Sequence, residues 1–196
     1  VAGDTPGAWT TVLRERIVMS LCATVGPMLR GRTAEDLYAL AITTDSDIVT
    51  LRLVAHTEEA LQALLLEGGE GAAEDADHYR WWPDEWRISD DGVTPENGSE
   101  STVDLCKVMF AASGDVSGHG PDAHEQWRER ARAMLENALG DPRVRARLAE
   151  VEPAWRPVLF VTDTDGDMRP TVRSIDVLNA GHPNSALVAS AREYFD

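Results

Sequence analysis

Lysine is almost missing from this chain: Lys107 stands alone against 17 arginines. Bases of both kinds total 18 against 34 aspartates and glutamates, a formal net charge of −16 over 196 residues. Nucleic-acid phosphates and anionic membrane surfaces need basic contacts to release counterions, so neither is an expected partner; a basic protein is. Cysteine is scarce too. Cys22 and Cys106 lack a CxxC spacing, which excludes a disulfide framework and points to reduced, packed thiols. Long apolar runs are absent. The stretch 17–25 is too short to span a bilayer and continues an amphipathic pattern that includes Arg14, Glu15 and Arg16. With no signal-like segment ahead of it, the expected location is the cytoplasm. The arginine, alanine and glycine bias fits a GC-rich bacterial genome.

Chemistry-bearing motifs are also lacking. No GxSxG nucleophile elbow, P-loop, GxGxxG fingerprint or HExxH occurs, so no catalytic residue, cofactor or metal site is expected, and a non-enzymatic role is favoured. Asp163-Thr164-Asp165-Gly166-Asp167 offers alternating carboxylates. Met168 and Ser174, however, occupy the glycine and bidentate-glutamate positions of a calcium loop, so a hairpin turn is the better reading. His56, His78, His119, His124 and His182 do not share a ligand spacing. Arg128, Arg130 and Arg132, then Arg143, Arg145 and Arg147, alternate with glutamates and read as solvated helix faces with local ion pairs.

What is present is a hydrophobic fraction of 43%, enough for one folded domain over residues 1–196. Thr5-Pro6 marks a helix start, and Trp9, Leu13, Ile17, Leu21 and Val25 recur every fourth residue until Gly26-Pro27. Segments 37–44 and 48–55 flank Asp45-Ser46-Asp47 as a β-hairpin, and Thr57-Glu58-Glu59 opens a helix. Helices are further predicted over 102–112, 121–139, 142–150 and 185–194. Residues 157–162 form a buried strand; across Asp165-Gly166 the segment 171–178 returns as a second hairpin partner, late because of Pro170. The expected fold is therefore α+β, a single domain with a mainly antiparallel sheet built from two hairpins and flanked by five or six helices.

The acidity is regional. Residues 67–104 hold twelve carboxylates against Arg80 and Arg87, ten of the sixteen excess negative charges, and Gly92, Pro95 and Gly98 suggest a long loop-rich segment. Within it lies Tyr79-Arg80-Trp81-Trp82-Pro83-Asp84-Glu85-Trp86. Tryptophan and arginine dominate interface hot spots, yet Trp82 and Trp86, four apart around a helix-starting proline, suit a turn pinned to the core, and that structural role is favoured for at least two of the three rings.

This segment resembles the Tyr-Arg-Trp-x-Pro-x-Glu-Trp signature of a bacterial family, domain of unknown function 4303. Trp82 stands where the family commonly has a small capping residue. Leu37–Asp45 resembles its first strand, and Ala55-His56-Thr57-Glu58-Glu59 its next helix start, where asparagine more often precedes Thr-Glu-Glu. The resemblance implies no particular reaction; by analogy with small acidic proteins at toxin loci it suggests an immunity or adaptor role. The leading expectation is a protein-binding module for a basic, toxin-like partner, with Tyr79, Arg80, Trp81, Trp82, Glu85 and Trp86 as contacts. The alternative is an enzyme or small-molecule binder with a site near His56, Tyr79 and Glu85.

Overall fold

Every residue of strand β1 (Leu37–Thr44) is buried. A strand of this composition needs cover on both faces and hydrogen-bonding neighbours on both edges. The structure, a computed structural model, describes residues 8–117, 120–164 and 168–196. In it β1 pairs antiparallel with β2 (Arg52–Thr57), which pairs antiparallel with the two-residue β3 (Ile88–Ser89). On its other edge β1 pairs in parallel with β4 (Val158–Asp163), so the order is β3-β2-β1-β4. The Thr5-Pro6 helix start, His119 and the Asp165-Gly166 turn lie outside the described residues.

Nine α-helices surround this sheet among the described residues. They are α1 (Ala8–Met28), α2 (Glu58–Gly68), α3 (Glu70–Glu74), α4 (Ala76–Trp81), α5 (Thr102–Ser117), α6 (Pro121–Leu139), α7 (Pro142–Val151), α8 (Arg169–Leu178) and α9 (Ser185–Phe195). None of them is long and apolar enough to cross a membrane. One core joins Leu40, Ile42, Leu53 and Leu159 of the sheet to α1, α5, α6 and α7 through residues such as Ile17, Leu105, Leu135 and Leu148. A second core joins Tyr38, Ala41, Val54 and Phe160 to Trp81, Trp86, Ile175 and Phe195. The sheet is thus the middle of three layers. A register shift between Leu37 and Ala39 brings the adjacent Tyr38 and Ala39 into the same second core.

The expectation of a mainly antiparallel sheet built from two hairpins is corrected here. The sheet is mixed, with one parallel pair, and five or six helices are too few. The difference lies in 171–178, which is helical within α8. Its β-branched residues suggested a strand, but Thr171, Ser174, Ile175 and Leu178 are buried at helical spacing, and Pro170 occupies the first turn. The helix does by side chains what a strand would have done by backbone. Ser174 Oγ accepts from Val161 N at 2.8 Å, and Asn179 Oδ1 accepts from Leu159 N at 2.9 Å. Asn179 Nδ2 donates to Leu159 O at 2.7 Å. The outer edge of β4 is therefore capped by a hydroxyl and an amide, which also removes an aggregation-prone edge. At the opposite edge β3 is only two residues long.

The first hairpin is present, but β2 starts later than expected. Ile48 adopts φ 55°, a left-handed conformation costly for a β-branched residue. Its fully buried side chain offsets the cost, and Asp45 Oδ1 accepts from Asp47 N and Val49 N to hold the turn. The acidic segment 67–104 contains α3, α4, β3 and two 3-10 turns at Pro83–Glu85 and Glu96–Gly98.

Asn179→Ala leaves both backbone groups of Leu159 buried without partners. Its unfolding free energy should fall by roughly 2–4 kcal/mol, and that of Ser174→Ala by roughly 1–2 kcal/mol. Urea titration reads this as a lower midpoint at constant slope. An unchanged midpoint for Asn179→Ala would show that the β4 edge does not depend on this amide.

Candidate functional site

The aromatic signature closes over the second face of the sheet. Its inner half is packed: Trp81 and Trp86 are buried, and Trp81 Nε1 donates to Ser190 Oγ of α9 at 3.1 Å. Between them sit Tyr38 of β1 and His56 of β2, brought together by strand register. Tyr38 Oη lies 2.6 Å from His56 Nδ1 and 3.0 Å from the carbonyl oxygen of Arg80. The hydroxyl has one proton. If it serves the carbonyl, His56 donates from Nδ1 to Oη and is left with a bare Nε2. His56 Nε2 and Trp86 Nε1 are both buried without a partner among the described residues. The two rings stack at 5.2 Å and 19°, and Trp86 meets Phe160 edge-on at 5.8 Å.

Arg80 ties this cluster to the surface. Its guanidinium lies 4.8 Å from the centre of the Tyr38 ring and holds the carboxylate of Glu58, at the start of α2, with two hydrogen bonds. The α2 terminus is itself fixed by Thr57, whose hydroxyl accepts from Ala60 N at 3.1 Å and donates to Glu35 Oε2 at 2.7 Å. Burial pushes the Tyr38 phenol far above its ordinary range and lowers His56 to about 4. At neutral pH the pair is uncharged.

The outer half of the signature faces solvent. His78 stacks on Trp82 at 6.0 Å and 18°, and its Nδ1 lies 2.8 Å from Tyr194 Oη. Glu85 Oε1 is 3.9 Å from His78 Nε2. Pro83 begins its 3-10 turn with Trp82 in the capping position and no side-chain cap. Tyr79 is half-buried, its hydroxyl 3.7 Å from where a side chain on Gly68 would begin.

The residues expected as partner contacts therefore divide. Trp81 and Trp86 are core, the Arg80 guanidinium is engaged by Glu58, and Tyr79, Trp82 and Glu85 retain exposed surface. His56, Tyr79 and Glu85 are spread apart: His56 is in the core, Tyr79 lies over the end of α2, and Glu85 sits beside His78. No cluster of three metal-ligating side chains occurs among the described residues, and Cys22 and Cys106 are free thiols that burial makes less acidic. Sequence reasoning missed Tyr38, although placing Thr57 opposite Leu37 in the hairpin would have brought it beside His56.

Much of the acidity is neutralised internally. Glu67 pairs with Arg87, Asp91 with Arg52, Glu96 with Arg147, Glu100 with Arg16 and Asp104 with Lys107. Asp90 is buried and accepts from Thr102 Oγ1 at 2.6 Å. Among the described residues Glu74, Asp75 and Asp77 form no ion pair, and beyond the effect of burial Asp77 lies close enough to Tyr194, the partner of His78, to disfavour ionisation of its phenol.

His56 makes stability pH-dependent in a defined direction. Its folded-state pKa of about 4 lies below the ordinary 6.5, so the unfolded chain binds the extra proton. The stabilisation is complete above pH 6.5, declines as pH falls towards 4, and levels off below. The decline should be roughly 3 kcal/mol by linkage. Subtracting the urea stability of His56→Asn from that of the parent at each pH isolates this slope. A flat difference between pH 6.5 and 4 would contradict it.

No curated protein and no solved structure matches the chain. A family described as a domain of unknown function, DUF4303, matches residues 22–144, which includes β1, β2, the whole aromatic signature and α6. The expected family is thereby confirmed, and the chain belongs to the DUF4303 family.

Proposed function

We propose that this chain is a protein-binding module that receives a basic segment of a partner protein on the ledge formed by His78, Trp82 and Tyr194. The carrying observation is that Asp77 and Glu85 flank this stacked aromatic surface, while Glu67, Asp91, Glu96, Glu100 and Asp104 of the same segment already serve internal ion pairs. An aromatic face beside unneutralised carboxylates suits an arginine or lysine side chain: the ring attracts the cation and the carboxylates steer it. An adaptor or immunity role in the bacterial cytoplasm, against a basic toxin-like protein, is the setting we assign to it.

Chemical cross-linking and affinity capture from the native host test this reading. The captured protein should be basic, and its binding should weaken severalfold as ionic strength rises well above ~0.15 M. Trp82→Ala should cost about 2 kcal/mol of binding, as anchors in interface centres do. Asp77→Asn with Glu85→Gln should chiefly slow association. A partner whose binding ignores salt and survives all three substitutions would overturn the assignment.

A further inference from the structure

A second polar site lies elsewhere in the fold. At the carboxyl ends of the parallel strands β1 and β4, an open cleft of about 320 Å³ separates α6 from the start of α8. Arg128 and Arg132 of α6 and Arg169 and Arg173 of α8 line it, together with Glu125 and Glu129. The spacing explains the convergence. Positions 128 and 132 share one face of α6, 169 and 173 share one face of α8, and the two faces meet across the cleft. Four guanidiniums collected in one place oppose both their mutual repulsion and the net charge of −16.

Three of these arginines are held more loosely than Arg16 and Arg143 elsewhere on the surface. Arg16 and Arg143 grip carboxylates with pairs of bonds at 2.5–2.8 Å. In the cleft, Arg128 reaches Glu125 at 3.3 Å, Arg132 reaches Asp163 at 3.3 Å and Arg173 reaches Glu136 only at 3.7 Å. Strong charge-assisted bonds are shorter, about 2.7–2.9 Å. The Arg132 side chain is 8% exposed, with Nη1 buried and without a partner among the described residues; Arg128 Nε is in the same condition. Burial also disfavours ionisation of Glu136, which weakens the counterion of Arg173. Arg128, Arg132 and Arg173 thus present positive donors that the described protein partners leave partly unsatisfied.

We propose that this cleft binds the phosphoryl group of a small phosphorylated molecule. A phosphoryl group supplies several acceptor oxygens and about two negative charges, matching guanidinium forks from two sides. The volume is at the low end for small-molecule sites and admits a phosphoryl group with a sugar- or ring-sized remainder. Glu125 and Glu129 are placed to accept from hydroxyl or amino groups of that remainder. A polynucleotide is disfavoured, because the rest of the chain repels its further phosphates.

Isothermal titration of the full chain with inorganic pyrophosphate, and separately with a nucleoside monophosphate, tests the assignment. At least one probe should bind saturably. Arg128→Gln and Arg173→Gln should each weaken it at least about tenfold, as expected for losing a hydrogen bond to a charged group. Arg192→Gln on α9, remote in sequence and paired with Asp176 and Asp196, should leave it unchanged. Circular dichroism confirms that each variant is folded. Equal affinity for the two probes assigns the phosphoryl group alone; tighter nucleotide binding that Glu129→Gln selectively reduces assigns contacts to the remainder. Absence of saturable binding by both probes, or binding retained in the Arg128→Gln/Arg173→Gln double variant, would overturn the proposal. These readouts are independent of partner capture at the aromatic ledge.

Discussion

Strand β1 has no exposed residue, and most of the architecture follows from that constraint. Apolar on both faces, it requires a helical layer above and below; central in the sheet, it requires a neighbour on each side. The local hairpin supplies β2. The other neighbour, β4, arrives from more than a hundred residues later, a connection long enough for the crossover that a parallel pair requires. The intervening chain provides α1's partners on one face and the aromatic signature on the other.

A new difficulty arises at β4, whose outer edge would be left with unpaired backbone groups in a buried setting. Helix α8 resolves it by straddling the edge, with Ile175 in one core and Leu178 in the other. Ser174 and Asn179 then take the hydrogen-bonding places of a missing strand. The same helix carries Arg169 and Arg173 to the mouth of the arginine cleft. Edge protection and the proposed anion site are thus two faces of one element.

The aromatic signature also has two sides. Inward, Trp81 and Trp86 enclose an uncharged Tyr38–His56 pair, which burial makes reluctant to ionise in either direction. Outward, Trp82 and His78 form a stacked surface next to Asp77 and Glu85. The regional acidity divides similarly. Glu67 pairs with Arg87 inside the segment, and Glu96 and Glu100 attach it to Arg147 and Arg16, so these carboxylates serve the fold. Among the described residues Glu74, Asp75 and Asp77, at the start of α4 and just before it, form no ion pair.

Local pattern determined a good deal of this protein. Strand β1, the helix start at Thr57, the long α6 opened by Pro121, the concentration of charge and the aromatic signature all follow from periodicity, caps and composition, which act over a few residues. The tertiary structure decided what local pattern leaves open. Residues 171–178 have strand-like composition and became a helix because a buried strand edge needed hydroxyl and amide acceptors at helical spacing. Arg128 and Arg132 read as a solvated helix face and became the wall of a cleft because α8 brought two more arginines opposite them. In both cases the deciding interaction joins groups far apart in the chain, and its energy exists only once the sheet has assembled between them.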